Sequence, residues 1–92
     1  MAKHYKTIGL IGKPNHQGAS ATITTLYQYL IDNNYQVLVE NSVASYISIE
    51  NMAIRSLIEI GEEADLAVVV GGDGYMLGAA RVLACYNIGV IG

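Results

Sequence analysis

The sequence predicts an α/β protein, a three-layer sandwich in which helices cover both faces of a parallel, Rossmann-like sheet of about four strands. Three observations carry that expectation. Leu66 to Val70 is an unbroken, largely β-branched apolar run, the pattern of a strand buried on both faces of a parallel sheet. Two further apolar runs, Thr7 to Gly12 and Gln36 to Glu40, flank a segment of helical periodicity and so form a β-α-β unit with a right-handed crossover. Finally, 92 residues that are 52% hydrophobic and 14% charged make one small domain, able to bury about 60 to 65% of its unfolded surface.

Each element follows from local signals. Residues 1 to 5 are polar and loosely held. Pro14 stops the first strand, so residues 13 to 18 form a loop. That loop has neither the Gly-x-Gly-x-x-Gly nor the Walker spacing. Lys13 and His16 lie where it would face a ligand, although solvated surface side chains explain both as well. Ser20 caps a helix whose apolar positions Ile23, Leu26, Tyr27, Leu30 and Ile31 make one stripe, with Tyr27 in the core. Asn34 ends that helix in the left-handed conformation. Residues 41 to 55 read least clearly, with Val43 to Ile49 compatible with a short helix or a strand. Ser56 and Glu59 match a capping box for a helix from about Leu57 to Glu63. Glu62, Glu63 and Asp65 precede the apolar strand, at the end away from its loop, and read as a solvated turn and not as a metal site. After the strand, Tyr75 to about Cys85 is helical, with Cys85 as a small buried hydrophobe and Arg81 paired with an acidic neighbour. Tyr86 and Asn87 turn into a last strand at Gly89 to Gly92, which opens as though more chain follows. The 92 residues are therefore expected to be the N-terminal part of a longer protein.

Several function classes are disfavoured. A net charge of −3 and a pI near 5.1 do not suit a nucleic-acid partner. The apolar runs are too short to span a bilayer, and neither a signal peptide nor a lipidation motif is visible. A single cysteine, Cys85, cannot form an internal disulfide, which suits a reducing cytoplasm.

The chemistry concentrates in Gly71-Gly72-Asp73-Gly74, between the apolar strand and the following helix. Three glycines in four positions let backbone amides converge on a ligand oxygen. The helix N-terminus adds unpaired N–H groups and the positive end of its dipole at the same point, so phosphate is the natural guest. Asp73 does not fit a plain anion nest. Either it caps the helix, as Asp commonly does, or its carboxylate accepts a proton from an attacking hydroxyl or holds a magnesium ion.

The Gly71-Gly72-Asp73-Gly74 loop resembles the signature of the NAD kinases and of the wider group containing diacylglycerol kinases and phosphofructokinases. The likeness to the bacterial NAD kinases extends over nearly the whole chain. It includes Ile8-Gly9-Leu10-Ile11-Gly12-Lys13-Pro14, Glu59-Ile60-Gly61, Ala64 to Val70, and Met76-Leu77-Gly78-Ala79-Ala80-Arg81. The resemblance implies transfer of the γ-phosphoryl group of ATP, or of polyphosphate, to the 2′-hydroxyl of NAD to make NADP, with a divalent metal, magnesium in the first instance. It implies Asp73 as proton acceptor, dinucleotide contacts from Asp73 and Gly74, and nucleotide binding at Gly71 and Gly72; no metal ligand is assigned. It further implies a homo-oligomeric full-length enzyme with a second, β-rich domain that supplies most acceptor contacts, so the 92 residues alone are expected to be inactive. Two departures stand out: Tyr75 replaces the usual Thr or Asn, and Gly78 replaces an Arg that in many members contacts the dinucleotide. The alternatives are a lipid or sugar-phosphate kinase with the same loop, or a nucleotide-binding domain without catalysis.

Overall fold

The computed structural model describes residues 6–12, 20–45, 47–49, 51–70, 73–86 and 88–91, with 73–77 described through their backbone. In chain order the elements are β1 (Thr7–Gly12), α1 (Ser20–Asp32), β2 (Gln36–Glu40), α2 (Asn41–Ala44), β3 (Ala53–Arg55), α3 (Leu57–Glu63), β4 (Leu66–Val70), α4 (Asp73–Leu83), a 3-10 turn (Ala84–Tyr86) and β5 (Gly89–Ile91). The strands form one sheet of order β3-β2-β1-β4-β5, and every neighbouring pair is parallel. The α/β sandwich is thus as expected, but with five strands where about four were read. The additional strand, β3, falls in residues 41–55. Three residues with a half-exposed Ile54 are too few to print a period on the sequence.

Side-chain alternation divides the core into two layers. Ile8, Leu10, Val37 and Val39 pack with Ile23, Tyr27 and Leu30 of α1 and Val43 of α2. Ile11, Leu38, Ala67 and Val69 face the other way, against Ile60 of α3 and Ala79 and Leu83 of α4. β1 is the strand buried on both faces, from Ile8 to Gly12. This corrects the reading of Leu66 to Val70, in which only Ala67 and Val69 are buried while Leu66, Val68 and Val70 are half-buried. An apolar run reports what a strand tolerates, and its position in the sheet decides how much of it is covered.

Local signals explain the element ends. Asn34 takes φ 68°, and the N–H groups of Asn34 and Tyr35 bond the carbonyls of Ile31 and Leu30 at 3.0 Å each, the pattern of a Schellman stop. At α3 the Ser56 hydroxyl accepts from the Glu59 N–H at 3.2 Å while a Glu59 carboxylate oxygen accepts from the Ser56 N–H at 2.9 Å. α3 reaches β1 over Gly9, where an added Cβ would collide with Ile60 Cγ2. Four expectations need correction. Ile31, read as part of the α1 stripe, is 40% exposed and lies outside the cluster that Ile23, Tyr27 and Leu30 join. Cys85 is exposed, since the 3-10 turn carries it away from the core after α4 ends at Leu83. The acidic residues before β4 are more than a solvated turn: Asp65 Oδ2 accepts from the N–H groups of Lys6 at 2.9 Å and Thr7 at 3.0 Å, and Glu63 pairs with Arg55 at 3.2 Å. Among the described residues that ion pair uses Arg55, whereas Arg81 is exposed on α4 without one.

Candidate functional site

Strand order places the site before any side chain is considered. From β1 the chain runs outward to β2 and then β3; it then crosses to β4 on the opposite side of β1 and continues to β5. The direction of winding therefore reverses between β1 and β4, and a crevice opens there at the C-terminal edge of the sheet. The register fixes its two lips. Gly12, the last residue of β1, pairs with Val70, the last residue of β4. Both strand-to-helix connections leave from this one rung, and the glycine loop is one of them.

α4 begins at Asp73, two residues earlier than the sequence reading placed it, so Asp73 and Gly74 are the first two residues of the helix. The first-turn N–H groups lack helical partners, and the helix dipole makes this end favourable for anionic oxygens. A carboxylate in the same turn is stabilised by that dipole as well. Asp73 and Gly74 thus sit at the switch point. Gly71, Gly72, Lys13 and His16 lie outside the described residues. Gly78, one helical turn beyond Gly74, is exposed, and a Cβ added there would meet nothing within 4 Å. Packing therefore does not demand glycine at that position.

The opposite edge of the sheet holds these lips in line. Asp65 ties the start of β1 to the start of β4 through its carboxylate, and its own N–H donates to the Thr7 carbonyl at 2.7 Å. One group was passed over in the sequence. Glu40, the last residue of β2, lies beside β1 at the ligand edge and is 8% exposed, the one buried charged residue among those described.

The description "ATP-NAD kinase N-terminal domain" matches residues 8–92. The chain belongs to the NAD kinase family. Its similarity to individual NAD kinases covers the whole chain: 70% identity to that of Colwellia psychrerythraea, 58% to that of Shewanella denitrificans and 53% to that of Aeromonas salmonicida. The chain spans about a third of these relatives, 31%, 29% and 31% of their lengths respectively.

No group of three or more His, Cys, Asp or Glu side chains gathers among the described residues.

Proposed function

We propose that the complete protein is an NAD kinase, transferring the γ-phosphoryl group of ATP or polyphosphate to the 2′-hydroxyl of NAD, and that this chain is its N-terminal nucleotide-binding portion. One observation carries the reading: the only Gly-Gly-Asp-Gly loop in the sequence opens α4 at the winding reversal between β1 and β4. Main-chain N–H groups of Gly71, Gly72 and the first turn of α4 hold phosphate oxygens. Asp73 accepts the proton of the ribose 2′-hydroxyl as that oxygen bonds to the γ-phosphorus and the bridging bond to the β-phosphate breaks, releasing ADP. Magnesium, when bound, offsets the phosphate charge. Gly74 lets the dinucleotide approach the helix closely. Most of the remaining acceptor contacts come from a second, β-rich domain.

The net charge of −3 supports small nucleotides and not nucleic acid as partners. Among the described residues no helix is long and apolar enough to cross a membrane. The lone, exposed Cys85 is compatible with a reducing compartment, and the cytoplasm is the proposed location. The homo-oligomeric state of the complete enzyme is carried over from the family resemblance.

The test is NADP formation by the complete protein from NAD and ATP, with Asp73→Asn beside it. As proton acceptor, Asp73 predicts a kcat lower by roughly 10²-fold to 10⁴-fold in the variant. Unchanged turnover would leave Asp73 a helix-end residue only. Nucleotide binding without NADP formation by the unaltered protein would make this a binding domain.

A further inference from the structure

We propose that a cavity at the N-terminal edge of the sheet, at the end away from the glycine loop, is a second binding site, and that it takes an uncharged heteroaromatic ring with an amide-like edge. Topology opens the cavity. β3 pairs with β2 only from Leu38 onward, so Gln36 and Val37, the first two residues of β2, have no β3 residue opposite them. The space beside them measures about 460 Å³, within the range of small-molecule sites. β1 runs from Thr7, which lines this cavity, to Gly12 at the crevice, so about 17 Å of strand separate the two. The cavity is therefore distinct from the crevice, and the proposal does not depend on the kinase reading.

Tyr27 is the residue that points to a ligand. It belongs to the core layer under α1 and is only 8% exposed. A buried tyrosine ordinarily bonds its hydroxyl, yet that of Tyr27 has no hydrogen-bond partner among the described residues. No fully enclosed side-chain oxygen or nitrogen among those residues lacks a partner. The Tyr27 hydroxyl is accordingly the open part of the residue, and it opens on the cavity that Tyr27 lines. Beside it the Thr7 hydroxyl donates to Gln36 Oε1 at 3.2 Å, which orients the Gln36 amide and leaves its two N–H donors for a ligand. Charge decides against an ion. Arg55 Nε donates to Glu63 Oε1 at 3.2 Å, so the two charged side chains on the wall satisfy each other. Val37 and the rings of Tyr27 and Tyr35 supply the rest of the wall, a surface on which a flat ring stacks. A neutral ring with one acceptor for the Gln36 amide and one polar atom for the Tyr27 hydroxyl meets every one of these groups, and nicotinamide and adenine share that chemistry.

The test is a titration of the complete protein with nicotinamide and with adenine, followed through its backbone amide NMR signals, with Tyr27→Phe and Gln36→Ala beside it. Neither compound carries a phosphate, so the glycine loop offers them no charge to hold. A ligand of that size is expected to bind with a Kd of about 1 mM, and at least one of the two should shift the amides of Gln36, Val37 and Ala53. Loss of one neutral hydrogen bond weakens binding by roughly 3-fold to 10-fold. Tyr27→Phe should show that loss at an unchanged Tm, because the hydroxyl has no partner within the described protein. Gln36 is exposed, so Gln36→Ala repeats the measurement without touching the core. No shift at these amides up to the solubility limit of both compounds would overturn the proposal. So would shifts centred on Gly71 to Gly74, or an affinity that both variants leave unchanged.

Discussion

Gly9 and Gly78 are the same residue type under opposite demands. At Gly9, in the strand buried on both faces, a side chain would meet Ile60 of α3, and α3 would have to lift off the sheet. Gly9→Ala is therefore expected to destabilise the protein by about 1 to 3 kcal/mol, as overpacking of a tight core does. At Gly78, an exposed turn of α4, nothing lies within 4 Å of an added Cβ. Gly78→Ala should stabilise by roughly 1 kcal/mol through helix propensity. Denaturant melts of both variants check the pair; equal shifts of one sign would contradict the close approach of α3 to β1. Asp73 stands out in the sequence for a different reason. Three glycines around a single acid are a chemical pattern, which is why it was visible before any coordinates, whereas Glu40 looked like the polar end of a strand until its burial was known.

At the scale of single elements, short-range hydrogen bonding set the boundaries. The Ser56 and Glu59 pair starts α3, and the Asn34 left-handed stop ends α1; both involve residues at most five apart and so were legible in the chain. The Ser56 N–H, and secondarily the Ser56 hydroxyl, hold the Glu59 carboxyl below its ordinary value. A group whose folded value is depressed contributes stability above its unfolded value and loses it as pH falls through the folded one. Glu59→Ala should therefore be less stable than the parent at neutral pH, with the gap narrowing below pH 4.5, the ordinary value for this group. A pH titration of thermal stability reads this; a gap independent of pH would mean the carboxylate charge is not involved. Elements without such signals were left open. β3 is three residues long, α2 is four, and neither has room for a period. Cys85 was assigned to the core by residue type, but the 3-10 turn after Leu83 breaks the helical rotation that would have carried it inward.

At the scale of the molecule, winding direction makes the crevice. Five parallel strands in the order β3-β2-β1-β4-β5 bring the ends of β1 and β4, 58 residues apart along the chain, onto one rung. Asp65 clamps the far end of the same two strands. The chain spans 31% of its Colwellia psychrerythraea relative, so most of that protein's length lies outside the region of similarity. We accordingly expect the 92 residues alone to form no NADP from NAD and ATP. Measurable NADP from this piece would show that no second domain is needed for the acceptor.

By itself the sequence determined the fold class, the start of α3 at Ser56 and the stop of α1 at Asn34, because each is written in residues close together: an apolar run, a capping pair, an Asn able to turn left-handed. Only the tertiary structure decided which strand lies at the centre, that five strands and not four share the sheet, that Asp65 is a clamp, and that Glu40 is buried at the ligand edge. Those properties depend on which strands become neighbours. Pairing between distant segments is set by the packing of whole faces, and no local stretch of residues encodes it.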